Sequence, residues 1–168
     1  MAERNPNLIS PKAMEAMAST ANSGRELYSE IFTKINNAKD KPKKIEVLRK
    51  YNTPNMRMVL KGAFDPKIEW DLPPGIPPYI ANEAPAGTEH TYLELEAKRL
   101  YNFVKGGNNQ LNKIRKETLF IQMLEGLHAD EAIVLIDMKN KTLNKTFKGL
   151  TSEMVKEAFG WNADFVKP

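Results

Sequence analysis

Between Asp65 and Gly87 the chain reads DPKIEWDLPPGIPPYIANEAPAG, a run that fits neither the helical nor the strand period. It holds six of the eleven prolines. Proline removes a backbone donor and fixes its own φ, so this run has to cross between regular elements as irregular or polyproline backbone. So long a connection is uncommon in a compact domain unless it packs or functions. Ile68, Trp70, Leu72, Ile76, Tyr79 and Ile80 make it too apolar for a solvated spacer. It is therefore expected to dock, on the chain's own helices or on a partner.

The flanks read as helical. Ser23 and Glu26 have the spacing of a capping box ahead of a helix over 24–37, with Leu27, Ile31 and Ile35 on one stripe. Asp40 with Pro42 starts a second helix, carrying Ile45, Leu48 and Tyr51 inward. Thr53-Pro54 opens a third, which Asp65-Pro66 ends. Beyond the proline run, Thr88 is expected to cap a long helix to Lys105, with Leu93, Ala97, Leu100, Tyr101 and Val104 on its apolar face. Gly106-Gly107 stops it. Asn108 or Asn109 starts another helix, ending at Gly126. Ile133-Val134-Leu135-Ile136 suits a buried strand as well as a helix, and helix is favoured because Asp130-Glu131-Ala132 is a good start. Residues 139–149 read as an exposed loop or a small hairpin, and Thr151 caps a last helix that Gly160 stops.

The fold class expected is mainly α: a compact single domain of six or seven helices with a proline-rich strap and at most one small β-hairpin. Residues 1–22 form a mobile arm, with a short methionine-faced helix after Ser10-Pro11. Residues 23–168 form the domain, comprising a three-helix part (23–64), the strap (65–87), a helical part (88–160) and a tail (161–168).

Cysteine is absent, which removes disulfides, thiolate metal sites and cysteine nucleophiles. No apolar run reaches the length of a membrane span and no signal-peptide core precedes the first helix, so a soluble intracellular protein is expected, with no membrane partner. His90 and Glu94 lie four apart, but zinc sites need three or four ligands, so neither a metal nor any other cofactor is expected. A helix corner explains His128 better than catalysis does. Asp65, Glu69, Asp71, Glu89, Glu94 and Glu96 suit a salt-bridged face better than a hydrolytic or nuclease centre. No phosphate loop, dinucleotide motif or nucleophile elbow occurs, so no catalytic residue is assigned.

Charge is strongly segregated. Residues 34–61 hold nine basic and two acidic side chains (+7), 65–97 one and seven (−6), and 98–148 ten and five (+5). Basic flanks of this kind suit a phosphate-bearing partner. The candidate nucleic-acid contacts are Lys41, Lys43, Lys44, Arg49, Lys50, Lys113, Arg115 and Lys116, with Lys139, Lys141, Lys145 and Lys148 studding the late loop. The alternative is protein docking through the strap, with Trp70, Ile76 and Tyr79 as candidate contacts. For Trp70 and Tyr79, packing across the chain's own helices is the preferred reading, because aromatic rings are costly to leave in water.

Several separated blocks carry a resemblance: VLRKYNTPNMRMVLKGAFDPKIEWDLPPGIPPY, GTEHTYLELEAKRLYNFVKGGN, KIRKETLFIQMLEGLHADEAIVLIDMKNK and FKGLTSEMVKEAF. Together they resemble an uncharacterised family of T4-like tailed bacteriophages, including cyanophages, from about Ile45 to Phe159. The resemblance implies a phage origin and a host bacterial cytoplasm. It implies no activity, ligand or catalytic set. The expected function is thus a non-catalytic accessory protein in phage nucleic-acid metabolism or transcription. The alternative is a protein–protein adaptor, either a virion component or a host-takeover factor.

Overall fold

The computed structural model of the protein describes residues 26–83 and 91–168. The expected arm, the Ser10-Pro11 helix, Ser23 of the capping box, Thr88, His90 and the end of the proline run lie outside the described residues. Within them the chain is mainly helical. Helices α1 (Tyr28–Asn37), α2 (Lys41–Lys50) and α3 (Pro54–Phe64) precede the proline run. After it come α4 (Leu93–Glu96), a 3₁₀ segment (Ala97–Phe103), α5 (Lys113–Gly126), α6 (Ala129–Asn140), α7 (Leu143–Thr146) and α8 (Ser152–Phe159).

Local chemistry sets most helix ends. The side chains of Asp40, Thr53 and Thr151 accept from the backbone N–H of Lys43, Met56 and Met154, each satisfying a donor that the first turn leaves orphaned. Gly160 ends α8 in the left-handed conformation, at φ 68°. Glu26 makes no cap for α1. Its carboxylate pairs with Lys34 and accepts the Tyr51 hydroxyl at 2.7 Å.

Three sequence expectations are corrected. The long helix to Lys105 is instead α4 followed by the 3₁₀ segment. Its buried residues Ala97, Leu100 and Phe103 recur every three positions, which is the 3₁₀ period, and Tyr101 is exposed. Asn108 starts no helix. Its side chain accepts from Gln110 N–H in a local turn, and Asn112 caps α5 by accepting from Arg115 N–H at 2.8 Å. Residues 139–149 form no hairpin. Lys141 turns the backbone left-handed (φ 59°), and α7 follows because Leu143 and Leu150 are both fully buried. With the 3₁₀ segment, the described residues hold more helical pieces than six or seven, and no strand beyond one bridge between Trp70 and Val104.

Helix α6 lies at the centre. Ala132, Val134, Leu135, Ile136 and Met138 bury several of its faces, as expected of a core helix. It packs against α1, α3 and α5, while α2 packs on α1 and α8. The buried carboxylate of Glu131 organises this centre. Its Oε2 accepts Tyr28 N–H and its Oε1 accepts Leu93 N–H, both at 2.7 Å. These are the first residues of α1 and α4, and Glu131 itself lies in the first turn of α6. Three helix N-termini therefore meet at one negative charge, where orphan donors and helix dipoles both favour it.

The proline run is fastened along this frame. Trp70 is buried, and its Nε1 donates to Gly62 O at 2.9 Å. Asp71 binds Lys116 at 2.9 Å near the start of α5, and Ile80 N–H donates to Glu125 near its end. Ile68, Leu72 and Tyr79 pack against the core with part of their surface covered. The last residues are also held, with Phe165 buried beside Trp161, whose ring meets Phe159 edge-on.

Candidate functional site

The eight sequence-chosen cations separate into engaged and exposed groups. Lys44 closes the carboxyl end of α1, donating to the carbonyls of Ile35, Asn36 and Ala38, each at 3.0 Å. Arg49 does the same for α8 through Ala158 O at 3.1 Å and Glu157 O. Lys116 is only 4% exposed and pairs with Asp71. These three belong to the fold by their contacts, although Arg49 is itself exposed. Lys41, Lys43, Lys50, Lys113 and Arg115 remain exposed. Lys41 has a distant partner in Glu157 (3.8 Å), and the Lys50 ammonium lies 5.9 Å from the Tyr51 ring centre.

A second basic group joins the first. Gly149 N–H donates to Asn36 Oδ1 at 2.7 Å, and Asn144 Nδ2 donates to the carbonyls of Lys148 and Leu150. These bonds dock the loop bearing exposed Lys145 and Lys148 on the end of α1. The turn with Lys39, Lys41 and Lys43 starts there. The approach is close, since a Cβ at Gly149 would lie 2.9 Å from Lys44 Nζ. Lys113 and Arg115 stand apart on α5, which packs on α6 and the 3₁₀ segment. Hydrogen bonding from Lys116, opposed by partial burial, holds Asp71 below the usual aspartate range. Lys113 lies 4.0 Å from the same carboxylate.

The strap candidates divide too. Trp70 is an anchor of the core, and Tyr79 is half-buried with its hydroxyl pKa pushed up by burial. Ile76 is 78% exposed, and Ile80, which the candidate set omitted, is 80% exposed. Two further lysines, expected to stud the late loop, are instead engaged by the proline run and the end of α3. Lys139 is not a loop residue but the end of α6, and it is 7% exposed. Its Nζ donates to the carbonyls of Pro73 and Gly75 and to Asn140 Oδ1. The Lys141 Nζ reaches the carbonyls of Gly62 and Asp65. Lys141 is exposed as a residue all the same, and no sequence signal marks either contact, because what a lysine meets depends on which segment crosses it.

His128 has the structural role expected, its Nδ1 accepting Asp130 N–H at 3.1 Å at the start of α6. Among the described residues no three acidic or histidine side chains gather as a metal would require. No described helix is long and apolar enough to cross a membrane.

The profile of a family of unknown function, DUF6433, matches residues 31–145, more than half of the chain. No curated protein matches the chain, and no solved structure does.

Proposed function

The chain belongs to DUF6433, a family whose function is unknown, and from its own surface we propose that it is a non-catalytic bacteriophage accessory protein that binds nucleic-acid phosphates in the host bacterial cytoplasm. The phage setting rests on the sequence blocks quoted above. One observation supports the binding: the Gly149–Asn36 hydrogen bond brings the loop of exposed Lys145 and Lys148 against the end of α1, next to the turn of exposed Lys39, Lys41 and Lys43. Lysines neutralise phosphates as point charges and release counterions, so binding of this kind is sequence-blind and salt-dependent. With about five lysines in contact, the logarithm of the binding constant for duplex DNA should fall against log salt with a slope near about −4 to −5.

Fluorescence titration with labelled duplex and single-stranded DNA and RNA, at several salt concentrations, tests this. Lys41→Glu with Lys43→Glu and Lys148→Glu should weaken binding and flatten the slope by roughly one unit per contact. Lys113→Glu with Arg115→Glu, on the separate α5 group, should change it less. Absence of binding at low salt, or binding that ignores salt, refutes the reading.

A second reading has its own support. Ile76 and Ile80 stand about four-fifths exposed on a backbone held by Lys139, Asn140 and Glu125. A rigid proline segment presenting two branched apolar side chains suits an adaptor that docks on another phage or host protein. Ile76→Asp with Ile80→Asp should then abolish co-purification of a specific partner from infected cells while leaving thermal stability unchanged. Retained co-purification removes this reading.

A further inference from the structure

A cleft of about 750 Å³ lies under the first half of the proline run. Its walls are the end of α3 (Ala63, Phe64), the run itself (Ile68, Trp70, Leu72, Pro73), the end of α6 and the start of α8. Its size falls within the range of small-ligand sites, and its lining mixes apolar walls with a few converging polar groups.

What distinguishes it is the state of its two lysines. A buried charge is ordinarily neutralised by an opposite charge, and hydrogen bonding to neutral groups does not replace that. The buried Lys139 ammonium has three hydrogen-bond acceptors, and all are neutral: two carbonyls and a side-chain amide. Lys141, exposed as a residue, has its Nζ held by two carbonyls. Burial holds both amines below the ordinary lysine range, and only for Lys141 does a carboxylate, Asp65, offset this. The fastening of the strap explains these hydrogen bonds. Beyond that fastening, both ammonium groups line the cleft with no carboxylate in ion-pair contact among the described residues, which leaves positive charge beside apolar walls.

We propose that this cleft binds a small organic anion with an apolar body, the anionic group taking the remaining N–H of Lys141 beside the positive charge of Lys139, whose own three N–H are engaged, and the body lying against Phe64, Ile68 and Leu72. Glu69 also lines the cleft and disfavours a second negative group, so the ligand carries its charge on one end. The lysines of the cleft are not those of the basic face of α1 and α2, although Asn144 lines the cleft and also holds the loop of Lys148, and ligand binding in the cleft does not rest on nucleic-acid binding.

Titration of the ¹⁵N-labelled full chain with phenyl phosphate, followed by amide chemical shifts, tests the proposal, with inorganic phosphate and benzyl alcohol as comparators. Phenyl phosphate should shift resonances in 63–74, 139–141 and 151–152 saturably, and not only those of Lys145 and Lys148, and bind about tenfold or more tightly than either comparator. Raising the pH through the depressed lysine range should weaken phenyl phosphate but not benzyl alcohol, because the cation is lost. Lys141→Met should cost roughly the same tenfold factor in a chain whose spectrum stays dispersed. Should that variant unfold, the three-ligand comparison on the unaltered chain still decides. Equal binding of benzyl alcohol (an apolar groove only), equal binding of inorganic phosphate (an adventitious ion only), or shifts confined to other residues each overturn it.

Discussion

Removing the Glu131 carboxylate should be among the most damaging single changes available to this fold. The side chain is fully buried, and each oxygen accepts the first N–H of a different helix at 2.7 Å. A hydrogen bond to a charged group contributes about 1.5–3 kcal/mol, and the stranded buried donors cost more to leave unpaired than an average bond contributes. Two such bonds give about 3–6 kcal/mol for Glu131→Ala. Desolvation of the charge is relieved in the variant, which places the expected loss toward the lower end. Glu131→Gln keeps one acceptor and turns the other into a donor facing an N–H, so at least one bond is lost, about 1.5–3 kcal/mol. Equilibrium urea unfolding followed by circular dichroism measures both. The midpoint should fall in the order unaltered chain, Gln, Ala, with the slope against urea unchanged. Hydrogen exchange adds a local readout: the amides of Tyr28 and Leu93 should lose protection before those of α5. Were both variants to stay within about 0.5 kcal/mol of the unaltered chain, as surface substitutions do, the argument that one carboxylate joins three helix starts would be refuted.

Two further perturbations follow from the strap's attachments. Gly62→Ala should destabilise by about 1–3 kcal/mol despite the better helix propensity of alanine, because the new Cβ would sit 2.4 Å from Trp70 Cζ2; a raised melting temperature would contradict it. For Asp71, the carboxyl pKa is depressed in the folded chain, so its contribution is present above the ordinary aspartate value of about 3.9 and is lost as pH falls through the depressed value. Asp71→Asn should therefore lower stability at neutral pH and flatten the acid limb of the stability profile, and an unchanged acid limb in urea midpoints would count against the Lys116 pair.

Helix starts were readable where a capping side chain and a proline coincide, as at Asp40-Lys41-Pro42 and Thr53-Pro54, because both effects act within one turn of backbone. The stretch after residue 90 was not readable in the same way. Its apolar residues satisfy a period of 3.6 through Leu93, Ala97, Leu100, Tyr101 and Val104, and a period of three through Ala97, Leu100 and Phe103. The choice between them is made by what lies alongside: Glu69 O accepts Lys105 N–H and Phe103 O accepts Asp71 N–H, so the proline run draws this backbone out of α geometry. A contact between segments some thirty positions apart leaves no trace in the local pattern. Trp70 was legible for the opposite reason, since an indole in a run with neighbouring apolar residues has a strong drive to be buried whatever the topology.

The lysines show where pattern reading fails for function. A cluster such as Lys41, Lys43, Lys44, Arg49 and Lys50 looks uniform in sequence, yet a helix carboxyl end and a solvated surface make different uses of the same side chain. On α2, positions 44 and 48 share a face, and Leu48 is fully buried, so Lys44 is carried over the end of α1 where unsatisfied carbonyls wait. Lys43 lies on another face, and Lys41, though four positions before buried Ile45, stands in the first turn; both stay in water. On α5, Lys116 and Phe120 share a face, and Lys116 is accordingly buried against Asp71 while Arg115 is not. Charge density along a chain therefore overstates a binding surface by the lysines that close helix ends. Assigning each lysine by the groups its ammonium meets, and not by spacing alone (Lys41 precedes buried Ile45 by four and stays exposed), separates the two groups before any partner is considered. In this chain it leaves the α1–α2 corner, with the loop docked beside it, as the surface where phosphate binding should be sought.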